Sequence, residues 1–177
     1  MKRFKYVIAL LLVGSLGLTA SAQSEKDQKI IADADEAVAA LIKVNPEIGD
    51  YFKKAAGAAV FPNVGKGGFN VGGASGKGVL YEGGNKVGMC SLKKVSVGLQ
   101  AGGEALIEVI FFETQADVDK FKEGNYEFDG GISATALKAG VSFDAKYTDG
   151  VAVFTHTKWG LLGDVSVGGH KFDFVKF

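Results

Sequence analysis

The residues able to do chemistry in this chain are few and far apart. His156 and His170 are the only histidines, and Cys90 is the only cysteine. A zinc site draws on several nitrogen or sulfur ligands at short spacing, and neither histidine has such a neighbour, so no metal and no cofactor are expected. A serine nucleophile on a strand-to-helix elbow would carry the pattern G-x-S-x-G, which the sequence lacks. Asp164 and Asp173 read as turn or surface carboxylates rather than as an acid and base pair. Cys90, next to Met89 and near Val87, reads as a small buried hydrophobe rather than a nucleophile. No catalytic residue is expected.

The densest motif is GKGGFNVGGASGKG at residues 65–78. A phosphate-cradling loop requires G-x-x-x-x-G-K-[ST], whose glycines let backbone amides converge while the lysine and hydroxyl meet phosphate and magnesium. For Lys77 the outer positions are Val71 and Gly78, and for Lys66 they are Val60 and Gly67, so both frames fail at both ends. The dinucleotide pattern G-x-G-x-x-G fails at Asn70 and at Tyr81. What remains is a hairpin in which Gly67, Gly68, Gly72, Gly73, Gly76 and Gly78 serve a bend, a bulge or a close backbone approach. A glycine-lined ligand surface is the alternative.

The elements around this hairpin divide the chain into distinct stretches. Residues 1–22 read as a secretory signal: Lys2, Arg3 and Lys5 precede an apolar run from Tyr6 to Leu18, and Ala20-Ser21-Ala22 offers a cleavage site. Residues 23–177 then form one domain, exported and periplasmic or extracellular. It carries 17 lysines, no arginine and 20 carboxylates, a net charge of −3 with neutral histidines. Without arginine there is no planar fork for phosphate or guanine, so nucleic acid is not an expected partner.

Ile30, Ile31, Ala34, Val38, Leu41 and Ile42 recur at helical spacing. A second helix is expected from Pro46 to about Ala56, capped by Asn45 and ended by Gly57. Strands are expected near Ala58–Phe61, Gly68–Ala74, Gly78–Glu82, Lys86–Ser91, Val95–Ala101 and Ala105–Phe112. A short helix capped by Thr114 and Asp117 follows. Further strands are expected near Phe128–Leu137, Gly140–Tyr147, Val151–Thr157, Asp164–Gly168 and Lys171–Phe174. The fold class is α+β: N-terminal helices packed on a curled, mostly antiparallel, glycine-rich sheet, sandwich-like or barrel-like.

The stretch KGGFNVGGASGKGV, together with VIFFETQADVDKF at 109–121 and TKWGLLGDVSVGG at 157–169, resembles the SYLF domain. This is a lipid-binding module also found in yeast and animal actin-patch proteins and in plant FYVE-containing proteins. The resemblance runs from about Pro46 to Phe174. Two places depart from the pattern. Val87-Gly88-Met89-Cys90 stands where relatives have tryptophan-serine, and TALKAG at 135–140 replaces a loop with proline and arginine. The resemblance implies a non-enzymatic, exported protein of the cell envelope that binds anionic phospholipid, including phosphoinositides. It places Lys66 at the family's lysine before glycine-phenylalanine, and it implies a lysine-bearing N-terminal helix.

The residues expected to meet a membrane are therefore Lys26 and Lys29 beside Ile30 and Ile31, Lys53 and Lys54 at the end of the second helix, and Lys66. The partner is an anionic lipid surface, bound by charge and by apolar insertion. Two other classes stay open: a protein-interaction or scaffolding module, motivated by the filament-bundling relatives, and a barrel that holds a small apolar ligand, suggested by 13 phenylalanines.

Overall fold

A computed structural model of the chain describes residues 25–67, 71–97, 105–124, 127–128, 134–138, 146–157 and 170–177. The expected signal at 1–22, Gly68, Asp164 and the strand expected at 164–168 lie outside these residues. So do nearly all of the strand expected at 140–147 and the end of the one expected at 95–101.

The first helix, α1, spans residues 25–44. It buries Ala34, Ala37 and Leu41, with Ile30, Ile31, Val38 and Ala40 partly covered beside them. The backbone N–H of Asn45 still bonds the Leu41 carbonyl, and its side chain accepts from the Glu47 N–H at 3.1 Å. The following bonds, Ile48 to Asn45, Gly49 to Pro46 and Asp50 to Glu47, span three residues each. This is a tight 3₁₀-type turn, so the second helix, α2 (Ile48–Lys54), starts later than the proline suggests. It also stops earlier. Ala55 is extended, and the Ala56 N–H already bonds the Phe112 carbonyl, drawing the chain into the sheet before Gly57.

Among the described residues eight strands follow: β1 (Gly57–Gly67), β2 (Val71–Glu82), β3 (Asn85–Val97), β4 (Ala105–Phe112), β5 (Glu127–Phe128), β6 (Thr135–Ala136), β7 (Val151–Thr157) and β8 (His170–Lys176). They form one sheet in the order β5-β8-β3-β2-β1-β4-β7-β6. Every pairing is antiparallel except β6 with β7. The protein is thus α+β with a mostly antiparallel sheet. The helix α3 (Gln115–Lys122) carries the expected capping box: Thr114 Oγ1 accepts from the Asp117 N–H, and the Asp117 carboxylate accepts from the Thr114 N–H.

Pairs expected as separate strands are continuous in β2 and β3. Gly83 and Gly84, at φ +52° and +81°, make the two-residue turn between them, the geometry that demands positive φ at both positions. The strand expected to end at Phe61 instead runs on through a bulge at Pro62 and Asn63, where pairing shifts against both β2 and β4. A proline fits inside a central strand only at such a point, where no ladder bond needs its missing N–H.

The two faces of the sheet bury two cores. The inner core gathers Phe61, Val64, Leu80, Leu92, Ile110, Phe112 and Phe172 with Val118 and Phe121 of α3. The outer core gathers Val60, Val79, Val109, Phe111 and Phe154 under α1 and α2. The rings of Phe61 and Phe172 are 6.2 Å apart. Their strands are separated by β2 and β3, about 14 Å in a flat sheet. The sheet therefore curls around the inner core.

Candidate functional site

The glycine-rich segment is a hairpin of β1 and β2, with Gly67 opposite Gly73 and Gly65 opposite Ser75. Gly72, Gly76 and Gly78 pair onward with Ser96, Leu92 and Cys90 of β3. A Cβ on Gly78 would stand 2.3 Å from the Val60 carbonyl oxygen and 2.7 Å from the Phe61 ring. Close approach is thus the reason for glycine there. The irregularity itself lies across the ladder, in β1, while β2 and β3 keep register from Val71 to Leu80.

Burial raises the Cys90 thiol well above its usual range, so its thiolate is disfavoured. Asp173 is exposed on β8 and accepts from Ser91 Oγ at 3.1 Å. His156 is half-buried, and its Nδ1 lies 3.2 Å from the Leu137 carbonyl oxygen. A carbonyl only accepts, so Nδ1 carries the hydrogen. His156 and Ile107 sit opposite each other on β7 and β4 and line a cleft of about 510 Å³ with Lys29, Asp33 and Glu36 of α1. Among the described residues neither serine nor cysteine lines it, and no group of three His, Cys, Asp or Glu side chains is placed to hold a metal.

The lysines expected to face lipid fall into three places. Lys26 and Lys29 lie in the first turns of α1, and about 28 Å of helix separates Lys26 from Asn45. Lys29 is paired with Asp33 at 3.1 Å. Ile30 and Ile31, expected to insert into the membrane, pack against the outer core instead, because the sheet offers them a covered apolar face. Residues 25–44 hold five carboxylates against three lysines, so this helix is a poor magnet for an anionic surface. Lys66 pairs through its backbone with Ala74 in the hairpin.

Lys53 and Lys54 end α2. Lys53 contacts Asp50 at 3.4 Å with its side chain largely in solvent, a pairing of small worth. Lys54 and Lys146 flank a groove of about 430 Å³ that also holds Tyr51, Tyr147, Asp50 and Glu113. The two tyrosine rings lie 6.2 Å apart, and Tyr51 packs edge-on against Phe154 at 5.0 Å. Burial, with Tyr51 and Glu113 nearby, pushes the Tyr147 hydroxyl up to about 12. Lys146 was not among the expected residues. It sits next to a tyrosine just before β7, and nothing in its local pattern points across the fold to α2.

A further group was also missed. On the outer face of β2, β3 and β8 the register sets Ser75, Lys93 and Lys171 in one row and Lys77, Ser91 and Asp173 in the next. The third row is Val79, Met89 and Val175. Lys77, Lys93 and Lys171 are exposed. The available signal was the alternation within each strand, but only the register across three strands assembles it.

No protein-family model matches the chain. The sequence is similar to Beta cell expansion factor A of Aeromonas veronii, with 32% identity over 142 residues that cover 78% of this chain and 53% of that protein. The chain thus spans about half the length of the curated relative it matches.

Proposed function

We propose that this is an exported, non-enzymatic protein of the cell envelope, of the SYLF type, that binds anionic phospholipid surfaces peripherally. The observation that carries the reading is the groove at the end of α2. Its tyrosines present an apolar body with a polar tip, and its lysines bring cationic heads on long apolar stems, the combination that suits a membrane interface. Lys54 and Lys146 would meet lipid phosphate; of the two carboxylates that share the groove, Asp50 and Glu113, Asp50 is taken up by Lys53. About 430 Å³ is within the range of small-ligand sites, large enough for a headgroup. The curl of the sheet around the inner core supports a barrel-like scaffold that holds the groove in place. Among the described residues no helix is long and apolar enough to cross a membrane, and the contact proposed is at the surface.

The experiment is co-sedimentation of the mature chain with phosphatidylglycerol-containing and with pure phosphatidylcholine vesicles at two salt concentrations. Retention by the anionic vesicles, weakening as salt screens the lysines, is the expected result. Equally poor retention by both kinds of vesicle defeats the reading.

A further inference from the structure

We propose that the outer face of β2, β3 and β8 is a second contact with the anionic lipid surface, its lysines against phosphate and the end of β8 in the headgroup layer. This rests on the lipid reading above. It adds a sheet-borne face to the groove at α2.

Three features of the face converge. Lys93 stands directly opposite Lys171, and like charges in directly opposed positions on a sheet destabilise it. An anion lying over both removes that repulsion. Lys77 is opposite Ser91, two residues from Lys93, a diagonal within reach of long side chains. Secondly, none of these three lysines has an ion pair among the described residues, whereas Lys29, Lys53, Lys86, Lys120 and Lys122 all have one. Of the carboxylates at this face, Asp173 is engaged by Ser91, and Glu127 of β5 stands opposite Lys171 in the register on its other side.

Thirdly, Val175 and Phe177, at the end of β8, are 68% and 57% exposed. Val175 lies on the same face as Lys171. Basic residues with apolar ones beside them are the composition of a surface that sits in the plane of a bilayer interface. A soluble polyanion would satisfy the lysines and leave Val175 and Phe177 in water. A lipid interface accommodates both, which is why it is the occupant proposed.

The test compares two variants with the wild type on vesicles of equimolar phosphatidylglycerol and phosphatidylcholine. One carries Lys77→Gln, Lys93→Gln and Lys171→Gln; the other carries Lys53→Gln, Lys54→Gln and Lys146→Gln. At roughly fivefold per lysine near an anionic surface, the sheet variant should bind about a hundredfold more weakly. Its thermal unfolding should come no lower than the wild type's, since the replaced side chains are exposed and Lys93 and Lys171 no longer repel. In a separate Phe177→Trp variant, indole emission should shift to the blue on adding these vesicles and be quenched by brominated acyl chains.

Wild-type affinity in the sheet variant, with the groove variant reduced, overturns the sheet face and leaves the lipid reading standing. A wild type that ignores these vesicles sinks both. Tight binding of inorganic polyphosphate with unchanged indole emission on vesicles assigns the face to a soluble polyanion and overturns the proposal.

Discussion

The outer face of the sheet has two halves of opposite character. Over β1, β4 and β7 the helices α1 and α2 bury Val60, Val109, Phe111 and Phe154 completely. Over β2, β3 and β8 the same face carries exposed Ser75, Lys77, Lys93, Lys171 and Asp173. One cross-strand row shows the boundary: Val79 is fully buried, Met89 is partly covered, and Val175 stands in solvent. Residue type does not set this gradient, since valine occupies both ends. The reach of the helices sets it, and they stop short of the last strand.

The comparison can be broken most forcefully in the covered half. Phe111 packs against Tyr51, Phe52 and Phe154. Phe111→Ala should cost about 3–5 kcal/mol, read from the midpoint of urea unfolding. Gly78→Ala comes next, because the new methyl meets the Val60 carbonyl oxygen and Phe61 ring. Such overpacking costs about 1–3 kcal/mol.

The seam between the halves is tied by Asp35 of α1, which accepts from Lys86 Nζ at 2.7 Å and from Tyr81 Oη at 3.0 Å. The bond from Lys86, with help from Tyr81, holds the Asp35 carboxyl below its ordinary value. Its stabilisation is therefore present above the ordinary carboxylate pKa of about 4 and is lost as pH falls through the lowered one. Asp35→Asn should cost no more than about 1 kcal/mol at neutral pH, and the difference from wild type should close in acid, as urea titrations at a series of pH values would show.

In the bare half the effects shrink or change sign. Lys93→Glu places opposite charges across from each other at Lys171 and should raise stability by about 0.2–1 kcal/mol, measured by thermal unfolding, while weakening attachment to anionic vesicles. Val175→Ala should change stability by less than about 0.5 kcal/mol. A large loss there would mean that the edge is covered after all.

How much of this was legible in the sequence depends on the range over which each feature is decided. The bounds of β4 and β7 were readable because their apolar runs are bounded by turn residues. The capping box of α3 was readable because Thr114 and Asp117 satisfy each other locally. The end of α2 was not, since it is fixed by a bond from Ala56 to Phe112, more than fifty residues away. The helix lysines were legible as residues but not as a surface: that Lys29 is neutralised by Asp33 follows from spacing, while the burial of Ile30 and Ile31 depends on the sheet beneath. Lys146 beside Lys54, and Lys171 across from Lys93, needed the topology.

The kink at Pro62 and Asn63 also settles an accounting of odd and even along β1. Ahead of it Ala59 and Phe61 look inward; beyond it the inward position falls to Val64, and Gly65 looks out. The extra residue has switched the parity of the strand. Deleting either residue of the pair would restore simple alternation. Phe61 and Val64 would then stand two residues apart, so Val64 would keep its inward seat and β1 would pair with β2 and β4 without a shift.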